Sequence, residues 1–171
     1  MKTRVFGPAL VAVALFTLPS AARAQKAIFV VRHAEKVSDT DERLSDAGRA
    51  RAARLAQMLK DSGITAVYAT DTERARDTVA PLAGALGLKV AIYDTGGAMS
   101  GAVDARPFAA KLRKDRAADV VLIAGHSNTL PDLLKALGCA EAVTVANGEY
   151  DNLFVVVPKP DGTATLVRLR Y

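Results

Sequence analysis

The chain has 171 residues, 50% of them hydrophobic and 24% charged, with a formal net charge of +5. That length accommodates one domain with a sizeable core, and no repeat, low-complexity tract or linker divides it. Residues 1–24 hold Lys2, Arg4 and Arg23 and no acid, so without them 20 basic residues face 18 acidic ones, an excess of +2. With no basic stripe interleaved with aromatics, this argues against nucleic-acid binding.

Residues 1–24, "MKTRVFGPALVAVALFTLPSAARA", set two cations before an apolar core of about ten residues and end on Ala22-Arg23-Ala24. This is the pattern of a secretory signal peptide cleaved after Ala24. The apolar core is shorter than the roughly 20 residues of a membrane span. The sequence therefore predicts a periplasmic or secreted protein, with one domain over residues 25–171 and no membrane contact after cleavage. The single cysteine, Cys139, cannot form an internal disulfide and reads as a small buried residue after a helix.

"KAIFVV" (26–31) reads as a buried strand that stops at Arg32, His33, Glu35 and Lys36. A helix is expected over 44–63, with Ser45 as its N-cap and Gly63 as its stop. "TAVYAT" (65–70) reads as a strand, 72–87 as a helix with Pro81 a point of kinking, and "LKVAIY" (88–93) as a third strand. A glycine-rich loop precedes a helix over 104–115. "DVVLIAG" (119–125) is a fully apolar strand ended by His126, and a helix runs through "TLPDLLKALG". "NLFVVVP" and "ATLVRLR" form an antiparallel hairpin around Lys159-Pro-Asp-Gly. Strands alternating with helices predict a three-layer α/β sandwich, a mostly parallel sheet of about six strands with helices on both faces.

In such sheets ligands bind beyond the carboxyl ends of the strands. His33 and His126, the two histidines of the chain, both fall there, with Arg32 beside the first. A neutral imidazole can attack phosphorus and form a phosphohistidine that water hydrolyses. The transferring group then needs cations around its equatorial oxygens, and the arginine fork matches them two at a time. Arg74 and Arg76 follow the second strand. Helical spacing aligns Arg74 with Thr78 and turns Arg76 elsewhere, so Arg74 is preferred for the site and Arg76 for solvent.

"VVRHAEK", "LSDAGRARAARLAQML", "YATDTERARDTVAPLA" and "IAGHSNT" resemble, in order, the motifs of the histidine phosphatase superfamily, which includes phosphoglycerate mutases and acid phosphatases. The four cover most of residues 27–130. The resemblance implies a phosphoglycerate mutase-like fold, His33 as nucleophile, Arg32 and Arg74 as phosphate ligands, and His126 as a hydrogen-bond donor. The ending "EYDNLFVVV…LVRLRY" is similar to a small exported subgroup.

Many members carry a glutamate after the third strand that protonates the leaving oxygen. Here "YDTGGAMSGAVD" has none. Asp94 is the chosen substitute, with Asp104, Glu149 and Asp151 as further carboxylates. Other roles are assigned more plainly. Glu35 and Lys36 support the site or are solvated, and Ser127 or Asn128 caps the next helix. Gly96-Gly97 lacks the spacing of a dinucleotide fingerprint, and the histidines lack the companions of a metal site. The short stretch from Arg76 to His126 leaves no room for a substrate-reading cap, so the pocket should be open.

The expected activity is that of an exported phosphatase acting on a small phosphorylated substrate or a phosphoprotein, with no cofactor and no metal. A phosphoglycerate mutase-type phosphotransferase and a non-catalytic phosphate- or sugar-phosphate-binding protein are the alternatives.

Overall fold

The computed structural model describes residues 26–95 and 104–171. The signal peptide assigned to 1–24 lies outside the described residues, as does most of the expected glycine-rich loop, including Gly96-Gly97. In chain order the elements are β1 (Ala27–Arg32), α1 (Asp46–Leu59), β2 (Ile64–Ala69), α2 (Glu73–Ala85), β3 (Val90–Ile92), α3 (Arg106–Asp115), β4 (Val120–Gly125), α4 (Leu130–Ala136), β5 (Asn152–Pro158) and β6 (Ala164–Arg170).

All six strands join one sheet in the order β3-β2-β4-β1-β5-β6. β1 to β4 are mutually parallel, β5 runs antiparallel to β1, and β6 antiparallel to β5. This is the predicted α/β sandwich with its antiparallel end. β4 is buried at all six positions, because a central parallel strand is covered on both faces and must be apolar on both. Alternate side chains feed two cores. Val30, Ile123 and Phe154 pack with Phe108, Leu112 and Leu133 of α3 and α4. Val31, Leu122 and Leu153 pack with Leu55, Val79 and Leu82 of α1 and α2. Each such burial contributes roughly 1.5–3 kcal/mol, whereas an exposed pair such as Lys111–Asp115 adds about 0–1 kcal/mol. The two cores therefore decide the fold.

Helix α1 begins hard against the loop that follows β1. Ser45 caps it, its Oγ accepting from Gly48 N at 3.1 Å, and Ser45 N donates to Glu35 O at 2.9 Å. A Cβ on Gly48 would overlap that same Glu35 carbonyl oxygen, so only glycine allows this approach. The helix ends at Leu59, short of the predicted Gly63, because Ser62 N and Oγ both bond to Leu59 O, at 3.0 and 2.6 Å. Gly63, at φ 74°, then turns the chain into β2. β3 keeps only the centre of its predicted span. α2 runs through Pro81 to Ala85.

Register is what assembles the site. Arg32 pairs with Gly125, and Ala124 pairs with both Val31 and Ala69. The next residues on β1, β4 and β2 are therefore His33, His126 and Thr70, which leave three adjacent strands at one level. Main-chain bonds extend the ladder by one step, His33 N to Gly125 O at 2.8 Å and Thr70 N to Ala124 O at 3.2 Å.

Candidate active site

His33 and His126 face each other with ring centroids 5.2 Å apart. His33 Nδ1 lies 2.8 Å from Ala34 O. A carbonyl only accepts, so Nδ1 carries the proton and Nε2 keeps its lone pair. The adjacent main chain is fixed as well. Ala34 N donates to Thr78 Oγ1 at 2.8 Å, and that hydroxyl donates to Arg74 O at 2.7 Å. Thr78 thus ties the loop after His33 to the first turn of α2, where Arg74 sits.

His126 Nδ1 lies 3.4 Å from Arg74 Nη2 and its Nε2 lies 2.8 Å from Thr70 Oγ1. Arginine only donates, so in this state His126 accepts at Nδ1 and donates from Nε2 to the threonine. Arg74 is buried, and its Nη1 also pairs with the Glu42 carboxylate. Arg76 turns outward to Asp71 with 44% of its side chain exposed, so α2 sends one arginine to the histidines and one to solvent.

Arg32 is buried at the other side of His33. Its Nη1 donates to Ala146 O at 2.9 Å and Asn147 O at 2.7 Å, and its guanidinium lies 4.2 Å over the Tyr150 ring. Tyr150 in turn packs against His33, ring centroids 5.8 Å apart. Two buried donors, Arg32 Nε and Arg74 Nε, have no hydrogen-bond partner among the described residues. Tyr93 Oη, Asn152 Nδ2 and Tyr171 Oη share that condition.

A cavity of about 630 Å³ reaches the constellation at His126 and Thr70 and is lined further by Glu42, Thr72, Asp94 and Asn128. Asp94 is exposed at its edge. The remaining carboxylates are engaged elsewhere. Glu149 meets Arg168 and Arg170, Asp151 meets Arg170, and Asp104 meets Arg106. Glu35 holds Arg51 at 2.6 Å, and Arg51 also donates to Tyr171 O at 2.8 Å, so Glu35 braces the loop against α1. Lys36 pairs with Asp39. Cys139 is buried, as expected. The helix-capping expectation is corrected: the residue before α4 is Thr129, and neither Ser127 nor Asn128 occupies that place. Thr129 Oγ1 instead accepts from His126 N at 3.0 Å.

Sequence reasoning missed Glu42, Thr70, Thr78 and Tyr150. Thr70 could have been found by the rule that found the histidines, since it is the first polar residue past an apolar strand. Glu42 sits in a polar loop with no periodicity to single it out.

Burial lowers His33 to about 3, opposed by the Ala34 carbonyl and helped by His126 and the two arginines. Burial and then Arg74 lower His126 to about 4, with Glu42 pulling the other way. Both imidazoles are therefore neutral at physiological pH. Unfolding releases them to the ordinary value near 6.5, so below that pH the unfolded chain binds more protons than the fold. Stability is fully present above about pH 6.5 and is lost as pH falls towards the folded values. Urea unfolding should show a lower free energy at about pH 5 than at about pH 7.5, a window above most carboxylate titrations. With two histidines in the chain, their two C2–H NMR signals should stay unshifted across that window. Titration of either near 6.5 would contradict the buried neutral pair.

The chain sets two histidines and two arginines at the carboxyl edge of a mostly parallel α/β sheet, and known proteins share this fold. Residues 28–95 match the family model of the histidine phosphatase superfamily (branch 1). No curated protein sequence matches the chain. Among solved structures, the protein histidine phosphatase SixA complexed with tungstate superposes with a TM-score of 0.66 at 19% identity, covering 84% of this chain and 96% of SixA. The alpha-ribazole phosphatase from Shigella flexneri gives 0.66 at 19%, covering 85% and 96%. Mycobacterial glucosyl-3-phosphoglycerate phosphatase with VO3 gives 0.61 at 18%, covering 85% and 98%. At these identities the likeness is one of fold.

Proposed function

We propose that this protein is a phosphatase that hydrolyses phosphomonoesters, of a small molecule or a phosphoprotein, through a covalent phosphohistidine on His33. The observation that carries this reading is the His33 tautomer. Nδ1–H is held by Ala34 O, so Nε2 offers a lone pair beside Arg32, Arg74 and His126. Burial keeps that nitrogen unprotonated at neutral pH, which removes the usual competition between protonation and attack.

The dianion approaches through the cavity at His126 and pairs with the Arg32 and Arg74 guanidinium groups on either side of the histidines. His33 Nε2 attacks phosphorus, the bond to the leaving oxygen breaks, and that oxygen departs with the electron pair. Negative charge spreads over the equatorial oxygens, where the two guanidinium groups are already fixed; such preorganised contacts are worth the most in a dry site. His126 accepts at Nδ1 in the empty site. It becomes a donor to the phosphoryl group by taking up a proton there, which the dianion favours. Water then attacks phosphorus and regenerates His33. That SixA and the mycobacterial phosphatase were solved with tungstate and VO3, oxyanions resembling phosphate, supports an oxyanion at this sheet edge.

The reading extends to a metal-independent reaction and to export, the latter supported by the signal-like residues 1–24. Among the described residues no three His, Cys, Asp or Glu side chains gather as metal ligands. The test is release of p-nitrophenol from p-nitrophenyl phosphate, with and without EDTA. Turnover is expected in both, and a denaturing quench should leave acid-labile, base-stable phosphate on the protein. Activity abolished by EDTA and restored by a divalent ion would overturn metal independence. Tight vanadate binding with no turnover of any ester would leave a phosphate-binding protein instead.

A further inference from the structure

The loop between β1 and α1 is built as a closed turn. Ser38 Oγ accepts from Asp41 N at 3.1 Å, Asp41 holds Arg43 Nε at 2.9 Å, and Val37 N donates to Arg43 O at 3.0 Å. A bridge between Lys36 and Leu44 closes its base. Between those fixed neighbours the turn presents one side chain to the cavity, Glu42, which pairs with Arg74 and lines the wall beside His126. Its carboxylate touches one of the arginines argued to hold phosphate.

We propose that Glu42 is the general acid and base of the reaction, a role that rests on the phosphatase reading above. When substrate docks, the phosphoryl oxygens take over the Arg74 fork, which they match in geometry and exceed in charge. Glu42 is then left beside a dianion, and two like charges at one site favour protonation of the carboxylate. With 46% of its side chain exposed, it takes that proton from solvent. In the first step the Nε2–P bond forms, the P–O bond breaks, and the Glu42 carboxyl gives its proton to the departing oxygen. In the second step the Glu42 carboxylate accepts a proton from the attacking water as the Nε2–P bond breaks. His33 and protonated Glu42 are regenerated, and phosphate leaves. This supplies the acid that the sequence lacks at its expected place. Asp94 reaches the same cavity from the end of β3 and is the rival.

The experiment compares an ester with an activated leaving group, p-nitrophenyl phosphate, with an alkyl ester, glycerol phosphate, in the wild type, Glu42→Gln and Asp94→Asn. Glu42→Gln keeps size and hydrogen bonding but cannot give a proton. It should slow glycerol phosphate by about 10²-fold or more and p-nitrophenyl phosphate only several-fold, since nitrophenolate leaves without help. Equal slowing of both esters would assign Glu42 to positioning Arg74. Equal acceleration of both would make it a mere competitor for the anion site. Either result overturns the proposal, as does an ester-selective loss in Asp94→Asn with none in Glu42→Gln. A wild type that turns over neither ester would instead sink the phosphatase reading itself. Proton uptake on vanadate binding, followed by calorimetry in buffers of different ionisation enthalpy, gives a readout independent of turnover. Wild type should take up more protons than Glu42→Gln, and equal uptake would overturn the charging step.

Discussion

His33→Ala is expected to abolish phosphate release, by on the order of 10⁴-fold or more, because the residue makes the bond to phosphorus and no neighbour can replace it. His126, the other imidazole, has both nitrogens committed, to Arg74 and Thr70. Stability should change little. Among the described residues, the one hydrogen bond that His33 makes through its side chain runs to the next residue's carbonyl, and a bond of that kind contributes about 1 kcal/mol net. The variant should therefore unfold cooperatively near the wild-type midpoint, and no acid-labile phosphate should be trapped on it. Added imidazole can enter the space the ring leaves and should restore part of the rate towards p-nitrophenyl phosphate. If His33→Ala kept activity within about tenfold of wild type, the covalent route through this residue would be wrong.

Much of this site was legible in the sequence because it is built on strand ends. An apolar run that stops at a charged residue marks both a strand and the edge where ligands bind, and "FVVRH" and "LIAGH" gave both histidines that way. What spacing could not supply was the register that sets them side by side, which depends on Arg32 pairing with Gly125 across 93 positions of chain. The α2 arginines were separable for a similar reason: a helix has a fixed period, so position four before Thr78 and position two before it point differently. Loops carry no period. Glu42 meets Arg74, Tyr150 covers Arg32 and Arg51 holds Glu35 only through tertiary packing. The capping of α4 went astray likewise, since Ser127 and Asn128 are good cap residues by type, while the turn after β4 required one more residue and left Thr129 to bond His126.

Arg74→Ala and Arg76→Ala should differ sharply, although the two lie on one helical turn. Arg74 is buried, and its Nε–H has no partner among the described residues. Removing it takes away a charge-assisted contact that strengthens as charge develops on the phosphoryl oxygens, worth about 3 kcal/mol, so kcat/KM should fall by about 10²-fold or more. Inhibition by vanadate should weaken in step, because an analogue of the transition state loses what the transition state loses. Arg76 is half-exposed and pairs with Asp71, an exposed pair of the kind that contributes about 0–1 kcal/mol, so its loss should change kcat/KM a few-fold at most. Arg74→Lys is the informative intermediate. It keeps the charge but not the planar fork, and should recover only part of the loss if two-point contact matters. A lysine variant as active as wild type would reduce the role of Arg74 to charge alone. A larger loss in Arg76→Ala than in Arg74→Ala would mean that the phosphate lies on the solvent face of α2, away from His126, and the geometry proposed for the reaction would have to be rebuilt around that face.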